Sequence, residues 1–295
     1  MRIIASTAEL RAAIRDAHAG SVGFVPTMGY LHSGHTTLFD HARNENDLVV
    51  ASIFVNPTQF GPNEDFAVYP RDPDGDAEKC RAHGVDLLFM PSVAEVYPSG
   101  HATTVTVDHL TTELCGRFRP GHFAGVATVV AKLFGMVGPQ RAYFGEKDFQ
   151  QLAVIRRMAF DLNIAVEVIG LPTIREEDGL ARSSRNVYLS ADERQVALSL
   201  ASALRATRAA YRAGERSASA LCDLLAATLT RHPEVALQYA ELADPDSLRL
   251  LRGTTLEAGQ GARAIIALQL GRTRLIDNAA IDHDDPSFQT TQAGA

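Results

Sequence analysis

Residues 22–35 read VGFVPTMGYLHSGH, and this stretch decides the fold class. Val22–Thr27 is short and apolar, as expected for a buried strand, and the spacing of apolar residues predicts a helix over Thr36–Arg43. The turn between them contains Gly29 and Gly34. A strand, a glycine-bearing turn and a helix in this order are typical of a ligand-binding unit in an open parallel sheet.

The same alternation continues over the first 170 residues. Apolar runs predict further strands at 48–55, 85–90, 141–144 and 165–169, and periodic segments predict helices at 7–18, 74–83, 124–137 and 150–162. Short connections between alternating strands and helices favour a parallel sheet covered on both faces. The fold class expected for residues 1–174 is therefore α/β, a Rossmann-like doubly wound parallel sheet.

The sequence pattern changes after residue 175. Long alanine- and leucine-rich helical segments at 191–213 and 217–231 precede strand-like segments at 237–242 and 264–270, with Leu275-Ile276 as a short edge. This pattern predicts a smaller, lid-like α+β domain over residues 175–282. Residues 283–295 are polar and without periodicity, so a disordered tail is expected there.

The composition limits the classes of protein that fit. The 295 residues carry a formal net charge of −7, which argues against a protein that coats nucleic acid, because such binding depends on clustered Lys and Arg. Three cysteines without a CxxC pair predict neither a disulfide framework nor a thiolate zinc site. No apolar run approaches the ~20 residues that span a bilayer, and no signal peptide is recognised, so we expect a cytoplasmic protein without membrane partners.

Two histidines flank the second glycine of the turn at the predicted helix start. His32 and His35 lie where unpaired backbone N–H groups and the positive end of the helix dipole favour phosphate. Imidazole donors can also neutralise charge that develops on a phosphoryl group. A bare HxxH also suits half of a metal site or two surface histidines, but the order of strand, glycine and helix favours a nucleotide.

The HxGH pattern resembles the signature of a nucleotidyltransferase superfamily that includes class I aminoacyl-tRNA synthetases. The fuller string PTMGYLHSGH resembles, more narrowly, the pantoate–β-alanine ligase family, and the likeness extends over about residues 1–280. The resemblance implies an AMP-forming ligase that joins pantoate to β-alanine through a pantoyl adenylate and releases pyrophosphate. It also implies ATP as a substrate, Mg²⁺ as a cofactor and a homodimer.

Three further segments agree with the family: NPTQFG (56–61), GEKDFQQ (145–151) and ARSSRN (181–186). The resemblance implies that His32, His35, Lys147 and Arg185 are catalytic, with His35 as the proton donor. It implies that Gln59 binds pantoate and β-alanine and that Gln151 binds pantoate. The residues that it assigns to ATP are Pro26, Thr27, Met28, Gly29, Tyr30, Leu31, His32, Ser33, Gly34, His35, Gly145, Glu146, Lys147, Asp148, Ile174, Arg182, Ser183, Ser184 and Arg185.

The sequence allows two interpretations at each of two positions, Asp76 and Arg182. Asp76 belongs to an acidic helix start, where the helix dipole favours carboxylates, and it also suits a water-bridged contact to Mg²⁺. Arg182 stands where the family usually has Met or Leu. If this position contributes mainly its backbone the change is harmless, whereas a side chain that packs the nucleotide pocket would alter ATP affinity.

Two other functions remained to be distinguished at this point. A nucleotidylyltransferase of the same superfamily, acting on a small acid or phosphate ester, would leave the nucleotide on its product and need no amine substrate. An RNA-binding, synthetase-like module would need a basic face or an anticodon-type domain, and the sequence offers neither. The paired glutamines favour the ligase over the first alternative, and the lack of a basic face favours it over the second.

Overall fold

The computed structural model describes residues 1–62, 64–257, 259–282 and 285–288, and the chain forms two compact units. The first comprises Met1–Glu146 with Gln150–Leu171, and the second comprises Lys147–Phe149 with the chain from Pro172 onward. The division thus falls after Leu171, where the sequence predicted it after residue 174. That Lys147–Phe149 groups with the second unit was not predicted.

The first unit contains a six-stranded sheet in which every neighbouring pair is parallel, with the order β1-β4-β3-β2-β5-β6. Its strands are β1 (Arg2–Ile4), β2 (Val22–Thr27), β3 (Leu48–Ile53), β4 (Leu87–Phe89), β5 (Arg141–Gly145) and β6 (Glu167–Leu171). The predicted doubly wound parallel sheet is confirmed. The strand β1 was missed, because three residues are too few to show a period.

Seven helices accompany these strands in the described residues. They are α1 (Thr7–Asp16), α2 (Ser33–Glu45), α3 (Pro73–Ala82), α4 (Val93–Val96), α5 (Cys115–Phe118), α6 (His122–Val137) and α7 (Phe149–Asp161). Helix α2 begins at Ser33 and not at the predicted Thr36, because a histidine side chain caps it. Across the part of the chain that is described, no helix combines the length and the apolar character needed to cross a membrane.

The chain order reverses at the centre of this sheet. Strand β2 has β3 on one side and β5 on the other, and its pairing with β5 covers Gly23 with Arg141 and Phe24 with Ala142. Ligands of open α/β sheets bind at the carboxyl ends of the strands where such a reversal occurs. The turn that follows β2 therefore lies at the edge of the sheet that the topology favours for binding.

The second unit is built from helices packed on an antiparallel sheet in the order β7-β8-β9. Its elements are α8 (Ala191–Ala197), α9 (Ser199–Arg212), α10 (Ala218–Leu229), β7 (Val235–Ala243), β8 (Arg263–Leu270) and β9 (Thr273–Ala280). The α+β class is confirmed, but the helix predicted over 191–213 is two helices that meet at Leu198. The predicted short edge at 275–276 is a strand of eight residues that pairs with β8 along its whole length.

The end of the described chain is folded and not disordered at residues 285–288. Asp285 is buried and accepts hydrogen bonds from the backbone N–H of Ala280 (3.0 Å) and of Ser287 (2.9 Å). Pro286–Phe288 then form a single 3₁₀ turn. The prediction of a disordered tail is wrong for these four residues, and its remaining part, 283–284 and 289–295, lies outside the described residues.

Candidate active site

The turn after β2 ends in a reciprocal cap made by the two predicted histidines. The backbone N–H of Gly34 donates to Nδ1 of His32 (3.1 Å), and the backbone N–H of His32 donates to Nδ1 of His35 (3.2 Å). The two rings lie 4.1 Å apart between centroids. The HxGH spacing therefore builds the start of α2 as well as bringing two imidazoles together.

The cap decides which nitrogen of each histidine carries the proton. A ring nitrogen that accepts an N–H bond must have its lone pair free, so Nδ1 is unprotonated in His32 and in His35. In the neutral rings the proton is therefore on Nε2, the nitrogen that points away from the cap. The turn thus has two imidazole N–H donors at the positive end of a 13-residue helix.

Asp76 supports this turn from helix α3. Its carboxylate accepts from the backbone N–H of Tyr30 (2.7 Å, Oδ2) and of Leu31 (2.7 Å, Oδ1), and the residue is 1% exposed. Gly29 and Tyr30 both have positive φ, +82° and +51°, a conformation in which consecutive N–H groups converge on one anion. Both carboxylate oxygens are thus engaged with the main chain, which does not fit the predicted magnesium contact.

Gln59 lies in the 3₁₀ turn Pro57–Gln59 that follows β3, beside the turn that follows β2. Its Oε1 accepts from Nδ2 of Asn56 (3.0 Å), so its Nε2 is the end of the amide left to donate, and it contacts Sδ of Met28 (3.2 Å). Asn56 is 1% exposed, and its Oδ1 in turn accepts from the hydroxyl of Tyr97 (2.8 Å). The orientation of the Gln59 amide is therefore set by a buried network.

Helix α6 packs against this 3₁₀ turn at Gly125. A Cβ at Gly125 would lie 2.4 Å from the carbonyl oxygen of Thr58 and 2.7 Å from the backbone nitrogen of Gln59. Nδ2 of Asn56 also donates to the carbonyl of Gly125 (3.2 Å). Gly125, in the segment HFAGV (122–126), is therefore needed for the close approach of the backbones of α6 and the 3₁₀ turn.

A charged cluster holds the other side of Gln59. The guanidinium of Arg119 binds both carboxylate oxygens of Glu64 (2.6 and 2.5 Å) and donates to Nε2 of His122 (2.9 Å), whose Nδ1 donates to the carbonyl of Gln59 (2.8 Å). Burial raises the pKa of Glu64, but the hydrogen bonds and positive charge of Arg119 outweigh it and hold the pKa below its ordinary value. His122 thus positions the main chain of Gln59.

Lys147 is held by the sheet of the second unit. Its backbone carbonyl accepts from Nδ2 of Asn278 in β9 (2.8 Å), and Oδ1 of Asn278 accepts from Nε of Arg263 (2.7 Å). The guanidinium of Arg263 also lies over the ring of Phe149, 4.0 Å from its centroid. The Lys147 ammonium, on a side chain 20% exposed, lies 4.0 Å from Oδ2 of Asp148.

The predicted anion-binding segment follows a small hairpin, residues 174–182. Arg182 donates from its backbone N–H to the carbonyl of Ile174 (2.9 Å), while its side chain is exposed. The hydroxyl of Ser183 then accepts from the backbone N–H of Arg185 (3.3 Å), and Ser184 is buried. Of the two readings of Arg182, the structure supports a backbone role.

The remaining predicted residues divide by exposure. Thr27, Gly29 and Leu31 are buried, so they can offer a ligand little beyond backbone. The predicted residues that stay partly or fully exposed are Pro26, Met28, Tyr30, Ser33, Gly34, Gly145, Glu146, Asp148 and Gln151. The neighbouring Gln150, by contrast, is buried and binds the backbone of Leu110, Glu113 and Cys115, which leaves Gln151 as the glutamine accessible to a substrate.

Comparison with known proteins gives one family. The family model described as Pantoate-beta-alanine ligase matches residues 2–280. The pantothenate synthetase of Syntrophotalea carbinolica is 55% identical over 257 residues, 87% of this chain and 89% of that protein. That of Geobacter sulfurreducens is 49% identical over 286 residues, 96% of this chain and 100% of that protein.

Solved structures agree with the sequence relatives. The pantothenate synthetase of Thermus thermophilus superposes with a TM-score of 0.91 at 51% identity and covers 96% of this chain and 100% of its own. A pantoate–β-alanine ligase of Francisella tularensis, complexed with β-γ ATP and β-alanine, has a TM-score of 0.77 at 33% identity over 97% and 99% of the two chains. The chain therefore belongs to the pantoate–β-alanine ligase family and catalyses formation of the amide bond between pantoate and β-alanine.

Proposed function

We propose that this ligase activates pantoate with ATP, forming a pantoyl adenylate and pyrophosphate, and that the amine of β-alanine then displaces AMP. The observation that carries the proposal is the reciprocal histidine cap, which places two Nε2–H donors at a helix N-terminus. A carboxylate that attacks the α-phosphorus meets a negatively charged group. Donors fixed in advance at that position lower the barrier, because they stabilise the added charge without reorganising.

His32 and His35 stabilise the pentacovalent phosphoryl group in this proposal, and His35 donates the proton as pyrophosphate leaves. Their Nε2–H bonds carry out both tasks, since Nδ1 of each ring is already engaged in the cap. Asp76 keeps the turn in place through its two hydrogen bonds to the backbone of Tyr30 and Leu31.

The proposal also assigns donors of the segments 145–148 and 183–185 to the triphosphate. Lys147 contributes a point charge, Arg185 a planar guanidinium, and Ser183 and Ser184 their hydroxyl and backbone groups. The fixed carbonyl of Lys147 and the capped start of the turn after Ser183 restrict these donors before ATP binds. The backbone of Ile174 and Arg182 contacts the adenine.

Gln59 and Gln151 bind pantoate, and Gln59 also binds β-alanine. The hydrogen bond from Asn56 to Oε1 leaves Nε2 of Gln59 to donate to a carboxylate or hydroxyl of the substrate. A neutral amide does this without holding the carboxylate as tightly as a fixed positive charge would. For the second step the described site offers no strong base, so alignment of the neutral amine with the acyl carbon supplies most of the rate.

The described residues do not fit a magnesium site built by the protein alone. They contain no group of three or more His, Cys, Asp or Glu placed to hold a metal ion, and both oxygens of Asp76 bind backbone N–H groups. Mg²⁺ bound to the phosphates of ATP needs no such group. Of the residues assigned to ATP, Glu146 and Asp148 carry carboxylates that stay at least partly exposed and would be able to bind such an ion, directly or through water. The homodimer implied by the resemblance and the cytoplasmic location expected from the sequence remain predictions.

The proposal is tested by following the carboxylate oxygens of pantoate. Pantoate labelled with ¹⁸O in the carboxylate is incubated with ATP, and with or without β-alanine. We expect pantoate-dependent exchange between pyrophosphate and ATP without β-alanine, and ¹⁸O in AMP once β-alanine is added. His35→Ala and Lys147→Ala should each slow the exchange by about 100-fold or more, the size of one lost oxyanion donor.

Two results would contradict the proposal. Label in inorganic phosphate, with ADP as the nucleotide product, would indicate an acyl phosphate in place of an adenylate. Near-normal exchange in both alanine variants would show that the histidine turn and Lys147 do not act on the phosphates. His41→Ala, which removes an exposed histidine of the same helix that belongs to no predicted site, serves as the matched control.

A further inference from the structure

The folded end of the described chain, residues 285–288, lies beyond the residues that the family model matches. Phe288 packs against the hydrophobic core of the second unit, and its ring also contacts three arginines. The guanidinium carbon of Arg175 lies 3.9 Å from the ring centroid, and those of Arg205 and Arg208 lie 5.3 Å from it. An aromatic face attracts guanidinium groups at these distances.

Arg175 holds the hairpin of residues 174–182. Its guanidinium donates to the carbonyl of Gly179 across the hairpin (3.2 Å) and binds both carboxylate oxygens of Asp277 in β9 (2.7 and 3.0 Å). The side chains of this ion pair are 6% and 1% exposed. Nε of Arg175 is buried without a hydrogen-bond partner among the described residues, and the ring of Phe288 lies against the same guanidinium.

Arg205 and Arg208 connect the same ring to the hairpin and to the strand that leads to Phe288. Arg205 packs on Gly179, where a Cβ would lie 2.7 Å from its Nη2. Arg208 is buried and donates from Nε to the carbonyl of Ala280 (2.9 Å), at the end of β9. The ring of Phe288 thus contacts two arginines that bind the hairpin, Arg175 and Arg205, and a third, Arg208, that binds the end of β9.

We propose that Phe288 is a positioning residue for the ATP-binding segment Ser183–Arg185. The inference rests on the proposed function, because that function assigns these residues to the phosphates of ATP. The segment continues directly from the hairpin, and Nδ2 of Asn186 ties its far side back to Oε1 of Glu176 (2.9 Å) and to the carbonyl of Ala181 (3.1 Å). Fixing Arg175 therefore fixes where the segment begins.

The proposal makes a specific kinetic prediction. When a binding segment is competent only part of the time, the apparent affinity falls by that fraction. Phe288→Leu keeps an apolar side chain but removes the aromatic face. It should raise KM for ATP about 3- to 30-fold, the range of one cation–π contact, and leave kcat within about 2-fold. Phe288→Tyr keeps the ring and should restore the wild-type KM.

The matched control is Tyr211→Leu, which removes an aromatic face from the same unit. The ring of Tyr211 pairs with Arg216, 4.2 Å from its centroid, and not with an arginine that holds the hairpin. Loss of this pair should lower the unfolding midpoint without changing KM for ATP. If Phe288→Leu does not fold, Phe288→Met takes its place with the same expectations.

Hydrogen exchange of the full-length chain without ATP provides a second readout. Amides of residues 175–186 should exchange faster in Phe288→Leu than in the wild type, and those at the start of α2 should not change. A wild-type KM and unchanged exchange in Phe288→Leu overturn the proposal, as does an equal rise of KM in the Tyr211 control. The proposed function fails separately, if wild-type protein shows no ATP-dependent turnover while the exchange difference persists.

Discussion

Replacing Gly125 by Ala tests whether the close contact between α6 and the Pro57–Gln59 turn positions the side-chain amide of Gln59. The new methyl carbon would lie 2.4 Å from the carbonyl oxygen of Thr58, where contacts shorter than 3.0 Å are essentially never found. The atoms that it meets are backbone, so no side chain can rotate out of the way. The turn would have to move by about 0.6 Å or more, and Gln59 would move with it.

The expected change in kcat/KM is larger than the expected change in the free energy of unfolding, so activity is the better readout. Overpacking of this kind costs about 1–3 kcal/mol, but alanine in place of glycine within a helix returns about 1 kcal/mol. The free energy of unfolding should therefore fall by about 0–2 kcal/mol. A displacement approaching 1 Å at a substrate-binding group can cost about 100-fold, so kcat/KM for pantoate should fall about 10- to 100-fold.

Gly135 provides the matched control in the same helix. It is exposed, and a Cβ there would meet nothing within 4 Å. Gly135→Ala should raise the free energy of unfolding by up to about 1 kcal/mol and leave kcat/KM for pantoate unchanged. Urea unfolding and steady-state kinetics with varied pantoate measure both quantities. Wild-type kcat/KM in Gly125→Ala would refute the argument that this contact positions Gln59.

Three further predictions concern the groups around the site. Asp76→Asn replaces one acceptor oxygen by an N–H₂ that faces a backbone N–H, so it should cost about 1–3 kcal/mol in urea unfolding and slow pantoate-dependent exchange at least 10-fold. Arg119 holds the pKa of Glu64 below its ordinary value, so this carboxylate stabilises the fold above about pH 4.3 and its contribution is lost as the pH falls further. Glu64→Gln should remove that part of the pH dependence of the free energy of unfolding, measured between pH 3 and 6. Arg182→Met should leave KM for ATP within about 2-fold of the wild type, because the side chain is exposed and the backbone bond to Ile174 stays.

Patterns among neighbouring residues in the chain were sufficient to predict the parallel sheet and the histidine turn. A glycine-bearing turn between an apolar strand and a helix predicted where α2 begins to within three residues, and the error came from the unrecognised histidine cap. Strand β1 and the full length of β9 escaped prediction. Pairing with β4 and with β8 stabilises these strands, and the periodicity of their own residues does not reveal it.

The roles of single polar residues depended on contacts between distant parts of the chain. The sequence left Asp76 open between an acidic helix start and a water-bridged contact to Mg²⁺, and it did not show that Asp76 binds backbone groups some 45 residues earlier in the chain. The role of Asn56 was missed, although its place before Pro57 at the end of β3 was a signal. The arginines around Phe288 come from three segments and show no common pattern in the sequence.

By itself, the sequence determined the α/β class, the alternation of strands and helices and the family, and it supplied candidate residues for phosphate and substrate. These properties follow from local periodicity and from motifs whose members are adjacent in the chain. Only the tertiary structure decided which distant groups hold these residues: Asp76 of α3 on the turn after β2, His122 of α6 on the carbonyl of Gln59, and Asn278 of β9 on the carbonyl of Lys147. The physical reason is that these hydrogen bonds join residues at least 45 positions apart in the chain, and the periodicity of a local segment carries no information on such pairs.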